Sequence, residues 1–134
     1  MVAATGGEVA HFRDARHFAS WFGLTPREYS SGATRYLGRI SKRGDKYLRM
    51  LLTHGARAIL RAATVAVQAG RTLDRLRSWA LQVQARTHHN KAACALANKL
   101  TRICYAVLRD HAPYGNPQPR LQKKLERTAF AIAA

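Results

Sequence analysis

Two adjacent hydroxyls, Ser30 and Ser31, stand before Gly32 in the stretch REYSSGATRYLGRISKRGDKYLR, residues 27–49, and almost every charge around them is positive. Serine attacks a phosphodiester only when a base or its electrostatic surroundings activate it. Such attack also needs cations at the non-bridging oxygens, where charge develops in the transition state. Arg35, Arg39, Lys42, Arg43 and Lys46 are the residues that would supply them, with Gly32 leaving room for a nucleic-acid backbone to come close. On residue types alone the stretch reads as a phosphate-binding loop before it reads as a catalytic serine, because Ser-Gly pairs are common in turns.

Other chemistries find little support. The carboxylates are Glu8, Asp14, Glu28, Asp45, Asp74, Asp110 and Glu126, none closer than six residues to the next. A two-metal phosphoryl-transfer site needs several of these to converge. His88 and His89 are adjacent and would diverge by about 100° on a helix. His11, His17, His54 and His111 have no ligand partners at recognisable spacing, so no metal site is expected. Walker A, dinucleotide-binding and nucleophile-elbow patterns are absent from the sequence.

The charge balance points to partners. Lys and Arg number 23 against 7 Asp and Glu, a formal net charge of +16 over 134 residues. An excess of one sign bears on association and solubility rather than on fold, and the expected partner is nucleic acid. No membrane association is expected. No apolar run approaches the roughly 18–20 residues that span a bilayer, the N-terminus is too short and polar for a signal peptide, and the basic helix lacks the bulky aromatic face of an interfacial anchor. Cys94 and Cys104 fall in one predicted helix, about 15 Å apart at 1.5 Å per residue. They read as free thiols of a reducing compartment, hence a cytoplasmic protein.

The elements that must position the serines follow from periodicity. Phe12, Ala15, Phe18, Ala19 and Phe22 recur at helical spacing, with Asp14 as N-cap and Gly23 followed by Pro26 as the stop. Residues 24–45 lack a sustained period and read as a functional loop, with room for a short hairpin. A helix is predicted over about 45–69. Leu48, Leu51, Leu52, Gly55 and Ile59 form one face, and Lys46, Arg49, Thr53, Arg57 and Arg61 the other. That wet face is either an ordinary solvated surface or a nucleic-acid-binding one; four cations without a carboxylate favour the second. Further helices are predicted over about 72–86 and 91–111. The buried stripe of the last is Ala93, Leu96, Ala97, Leu100, Cys104, Val107 and Leu108. The expected fold is all-α: a small helical domain over 1–112, with a glycine-containing active-site loop between its first and second helices. Residues 113–134 read as a Pro-rich linker and basic tail, with a short helix over 120–130.

The motifs FASWFGLTPREYSSG, LGRISKRGDKYLRMLLTHGARAIL and ALANKLTRICYAVL resemble the C-terminal domain of insertion-sequence transposases of the IS-one-ten type. The likeness runs over about 2–114, and its most specific part is the serine-glycine pair followed by I-S-K-x-G-x-x-x-L-R. The resemblance implies a DNA recombinase directed by an RNA made by the mobile element, in which this domain supplies a nucleophilic serine that joins to a DNA end. The matching position is Ser31, with Ser30 as the alternative. Arg35, Arg39, Lys42, Arg43, Lys46, Arg49, Arg57 and Arg61 fall where such enzymes hold nucleic acid. The resemblance also implies a RuvC-like domain whose DEDD carboxylates bind Mg²⁺, and a homo-oligomer when complete. Neither those carboxylates nor the hairpin motif expected before AATGGEVAHF occurs in this sequence, so it looks truncated at the N-terminus and incomplete for catalysis alone. No cofactor is expected in this chain itself. A non-catalytic basic nucleic-acid-binding module and an inactive transposase remnant are the alternatives.

Overall fold

The computed structural model describes residues 1–115. In chain order the elements are α1 (Val2–Thr5), α2 (Ala15–Trp21), β1 (Pro26–Glu28), β2 (Leu37–Ile40), α3 (Lys46–Gln68), α4 (Arg75–Arg86) and α5 (His89–Asp110). The chain is mostly helical, but the all-α expectation needs correction. The segment read as a functional loop with room for a short hairpin does form one, a two-stranded antiparallel sheet that pairs Pro26 with Ile40 and Glu28 with Leu37, with an irregularity between. Its strands are largely exposed. They therefore lack the alternation of apolar and polar residues by which a half-buried strand is recognised. The expected tail helix over 120–130 lies outside the described residues.

Capping sets where the helices begin. Asp14 accepts from the Arg16 and His17 amides at the start of α2 at 2.8 and 2.7 Å. Asp45 accepts from Leu48 N at 2.8 Å and Asp74 from Arg77 N at 2.7 Å. Each aspartate satisfies amides that have no partner within the first turn.

The core lies where α2, α3, α4 and α5 meet. Phe18, Phe22, Leu60, Leu96 and Thr101 are its largest fully buried side chains. Phe18 packs edge-on against both Phe12 and Phe22, with ring centroids at 4.9 and 5.0 Å, a geometry that suits the aromatic quadrupole. Buried alanines at 56, 63, 80, 92, 93 and 97 let the helices approach closely.

Those small residues also shift the buried faces from the expected ones. On α3 the buried residues are Ala56, Leu60 and Ala63; Leu48, Leu52 and Ile59 pack at the margin, and Leu51 is exposed. On α5 Thr101 and Tyr105 are buried, whereas Leu100, Cys104, Val107 and Leu108 are half-buried. The two inward hydroxyls of α5 are satisfied. Thr101 Oγ1 donates to Ala97 O at 2.9 Å, and Tyr105 Oη donates to Phe12 O at 3.2 Å across the core. Ala93, Leu96 and Ala97 are buried as expected, but bulk alone missed Thr101 and Tyr105, whose hydroxyls are hydrogen-bonded inside.

Candidate nucleic-acid interface

The β1–β2 hairpin projects from the helical body and is held at its base by backbone packing. Gly23 (φ +69°) and Gly44 (φ +90°) flank it in sequence. A Cβ on Gly23 would run into the Arg43 carbonyl oxygen, and one on Gly44 into the Trp21 carbonyl oxygen. Only glycine combines that positive φ with so close an approach. Between them, Lys42 N donates to Gly23 O at 3.1 Å and Ser41 N to Thr25 O at 2.8 Å.

Side chains from the helices complete the anchor. Arg49 Nη1 donates to Phe22 O at 3.2 Å and approaches the Arg43 and Gly44 carbonyls at 3.4 and 3.5 Å. Asn98 Nδ2, on α5, donates to Leu24 O at 3.3 Å. Arg49, read from sequence as a phosphate contact, is half-buried and engaged with the chain's own carbonyls.

At the far end the chain reverses through Gly32 and Ala33. Ser31 N donates to Thr34 O at 3.2 Å, and Thr34 N to Ser31 O at 3.1 Å. Gly32 has φ +56° and Ala33 is not among the positive-φ residues, so the left-handed position is the first of a two-residue turn, where glycine is favoured. A Cβ there would meet nothing within 4 Å, so the tip is open to approach.

The two serines differ in environment. Ser30 Oγ donates to Glu28 Oε1 at 2.8 Å, and Arg35 Nε donates to the same oxygen at 3.0 Å. The Ser30 bond, and after it the Arg35 charge, hold the Glu28 carboxyl below its ordinary range, so it is ionised at neutral pH. The Ser31 hydroxyl makes no hydrogen bond among the described residues and sits beside Gly32 at the exposed turn. Glu28 was not singled out in sequence. Its place two residues before a serine was the available signal, but the reversal of the chain at the hairpin turn brings Arg35 onto the same oxygen.

Arg35, Arg39, Lys42, Arg43 and Lys46 are all exposed, from the hairpin to the start of α3. Arg57 and Arg61 are exposed on α3, several turns away from the hairpin. Arg57 Nη2 donates to Asn90 Oδ1 at 3.4 Å. Arg61 lines a cleft of about 380 Å³ with Thr64, Gln84 and His89. The cations thus fall into one group around the hairpin and another farther along α3. Tyr29 and Tyr36 face each other across the hairpin at 6.2 Å, 60% and 64% exposed, and add stacking surface that the charge pattern did not reveal.

Among the described residues no three His, Cys, Asp or Glu side chains converge as metal ligands. The described residues therefore do not supply the donor set of a Mg²⁺ site. Cys94 and Cys104 are free thiols, and burial pushes that of Cys104 up. No helix among the described residues is long and apolar enough to cross a membrane.

Comparison with known proteins gives a consistent answer. Residues 1–71, which contain the whole hairpin, match the family described as Transposase IS116/IS110/IS902. The chain is 49% identical over 107 residues to a Pseudomonas aeruginosa protein named "Probable family 20 transposase", covering 80% of this chain and 30% of that protein. It is 41% identical over 107 residues to the transposase for insertion sequence element IS1328 of Yersinia enterocolitica, with the same 80% and 30% coverage. The transposase for insertion sequence element IS1111A of Coxiella burnetii is 38% identical over 113 residues, 84% of this chain and 29% of that protein. The chain thus spans about 30% of the length of these curated relatives. No solved structure matches.

Proposed function

Since the chain belongs to the IS116/IS110/IS902 transposase family, we propose that it is the DNA-handling part of an insertion-sequence transposase, and that its hairpin presents a serine hydroxyl to a DNA phosphodiester. The observation that carries this reading is the tip itself: Ser31 stands unbonded beside an open glycine turn, inside the family-matched region, on a hairpin whose cations are exposed. Ser31 is the first candidate for the nucleophile and Ser30 the second.

In this reading the serine Oγ forms a bond to phosphorus and one bridging P–O bond breaks. The serine hydroxyl proton passes to solvent, the DNA end is held as a phosphoserine ester, and the departing deoxyribose oxygen takes a proton from solvent. Arg35, next to the tip, is placed nearest the attacked phosphate, while Arg39, Lys42, Arg43 and Lys46 toward the hairpin base and Arg57 and Arg61 on α3 hold neighbouring phosphates along the nucleic acid. Arg49 acts differently, by holding the hairpin base so that the tip keeps its orientation.

A divalent metal would be bound by protein segments other than the described residues, as the resemblance to two-domain transposases suggests. Element-encoded RNA and assembly with a RuvC-like domain or further copies belong to the same proposal. The test uses a full-length family transposase carrying this region. Ser31→Ala is expected to abolish strand transfer and the covalent protein–DNA adduct while leaving DNA binding intact. Strand transfer that survives in both Ser31→Ala and Ser30→Ala overturns the assignment.

A further inference from the structure

An open cleft of about 450 Å³ lies between the end of α2 and the hairpin, lined among others by Thr25, Arg27, Glu28, Tyr29, Ser41 and Arg43. Its size falls in the range of small-ligand sites. Its lining combines an exposed phenol ring, two guanidiniums, hydroxyls and a carboxylate. Arg27 is oriented by a 3.4 Å bond from Nη2 to Ser41 O. The Tyr29 ring lies across Gly38, where a Cβ would meet Tyr29 Cε2 at 2.9 Å, so the ring is positioned by the opposite strand. Both bonds to the Glu28 carboxylate fall on Oε1, leaving Oε2 with an unused acceptor.

These groups match the parts of one nucleotide. We infer that the cleft takes a single unstacked nucleotide of the strand at the hairpin, with its base on Tyr29, its phosphate toward Arg27 and Arg43, and a base amino group donating to Glu28 Oε2. A carboxylate accepts from an exocyclic amino group, as on cytosine, and has nothing to accept from thymine at the corresponding position. The cleft therefore selects an amino-bearing base. Taking one base out of the stack is the step by which a strand offers both a base edge and an accessible backbone to one small site. The inference rests on the reading that this hairpin handles DNA.

The test titrates the isotope-labelled full chain, followed by NMR, with deoxycytidine monophosphate, thymidine monophosphate and inorganic phosphate separately. Deoxycytidine monophosphate is expected to shift the Thr25, Arg27, Tyr29 and Ser41 amides saturably, with thymidine monophosphate weaker by about fivefold. Tyr29→Ala is expected to weaken cytidine nucleotide binding by about tenfold, and Tyr29→Phe to retain it. Glu28→Gln is expected to erase the preference between the two bases. An equal response to all three probes overturns the site, as does full cytidine nucleotide binding by Tyr29→Ala. So does a tyrosine effect that Tyr29→Phe reproduces, which would mark loss of the hydroxyl rather than of the ring. Duplex binding is measured in parallel: salt-sensitive duplex binding with no response in the cleft overturns the nucleotide site alone, whereas no duplex binding overturns the functional reading and the site with it.

Discussion

Ser30 and Arg35 bond to the same oxygen of Glu28, at 2.8 and 3.0 Å, and so close a small polar clamp across the hairpin just below its tip. The clamp joins residues from both sides of the turn, and Ser31 stands immediately beyond it. The state of the carboxylate thereby bears on how the serines are presented.

The clamp should respond to acid in one direction. The folded-state pKa of Glu28 lies below its ordinary 4.5, first because of Ser30 and then Arg35. Its contribution to hairpin order is thus complete above about pH 4.5 and is lost as pH falls through the depressed folded value. NMR shifts of the Ser30, Ser31 and Arg35 amides, followed from pH 7 to pH 2.5, should move together in that lower window. A transition centred above pH 4.5 would contradict the clamp.

Gly44→Ala should destabilise the fold even though it removes no side chain. The positive φ costs about 1–2 kcal/mol for any L-residue with a Cβ, and the collision with the Trp21 carbonyl adds to it. A loss of at least about 2 kcal/mol in denaturant unfolding is expected. Gly70→Ala is the control for φ alone: its φ is +66°, but its Cβ would meet nothing within 4 Å, so its loss should be smaller.

Two cations on the same basic stretch should separate by function. Arg39→Gln should leave thermal stability unchanged and reduce the log–log salt slope of duplex DNA binding by about 0.9, the value for one phosphate contact. Arg49→Gln should instead lower the melting temperature, because it removes a donor from the Phe22 carbonyl at the hairpin base. Identical effects of the two changes would overturn the division.

In the core, Leu96→Ala should cost about 2–5 kcal/mol in unfolding free energy, since Leu96 is fully buried and the cavity can close only in part. Tyr105→Phe should cost less, about 0.5–1.5 kcal/mol, for the single hydrogen bond to the Phe12 carbonyl. Equilibrium denaturation of both variants checks the order.

The sequence by itself determined the helical frame. Apolar spacing near 3.6 residues predicted the four longer helices, and Asp14 with Gly23 marked the ends of α2, because side-chain periodicity and capping are local properties of the chain. It also determined where the cations and the two serines would cluster. What only the tertiary structure decided was which of those residues act on the chain and which remain free. Arg49 and Arg39 carry the same charge ten residues apart, yet Arg49 reaches carbonyls gathered from the end of α2 and the end of the hairpin, while Arg39 stays exposed. Glu28, within local reach of Ser30, meets Arg35 only because antiparallel pairing folds one strand back on the other. The strands themselves left little pattern, since three-residue β1 is exposed throughout and four-residue β2 is half-buried on one face only, where one of its two residues is glycine. Likewise Tyr105 turns inward where its hydroxyl meets the Phe12 carbonyl, a contact 93 residues away along the chain that residue type and local spacing do not encode.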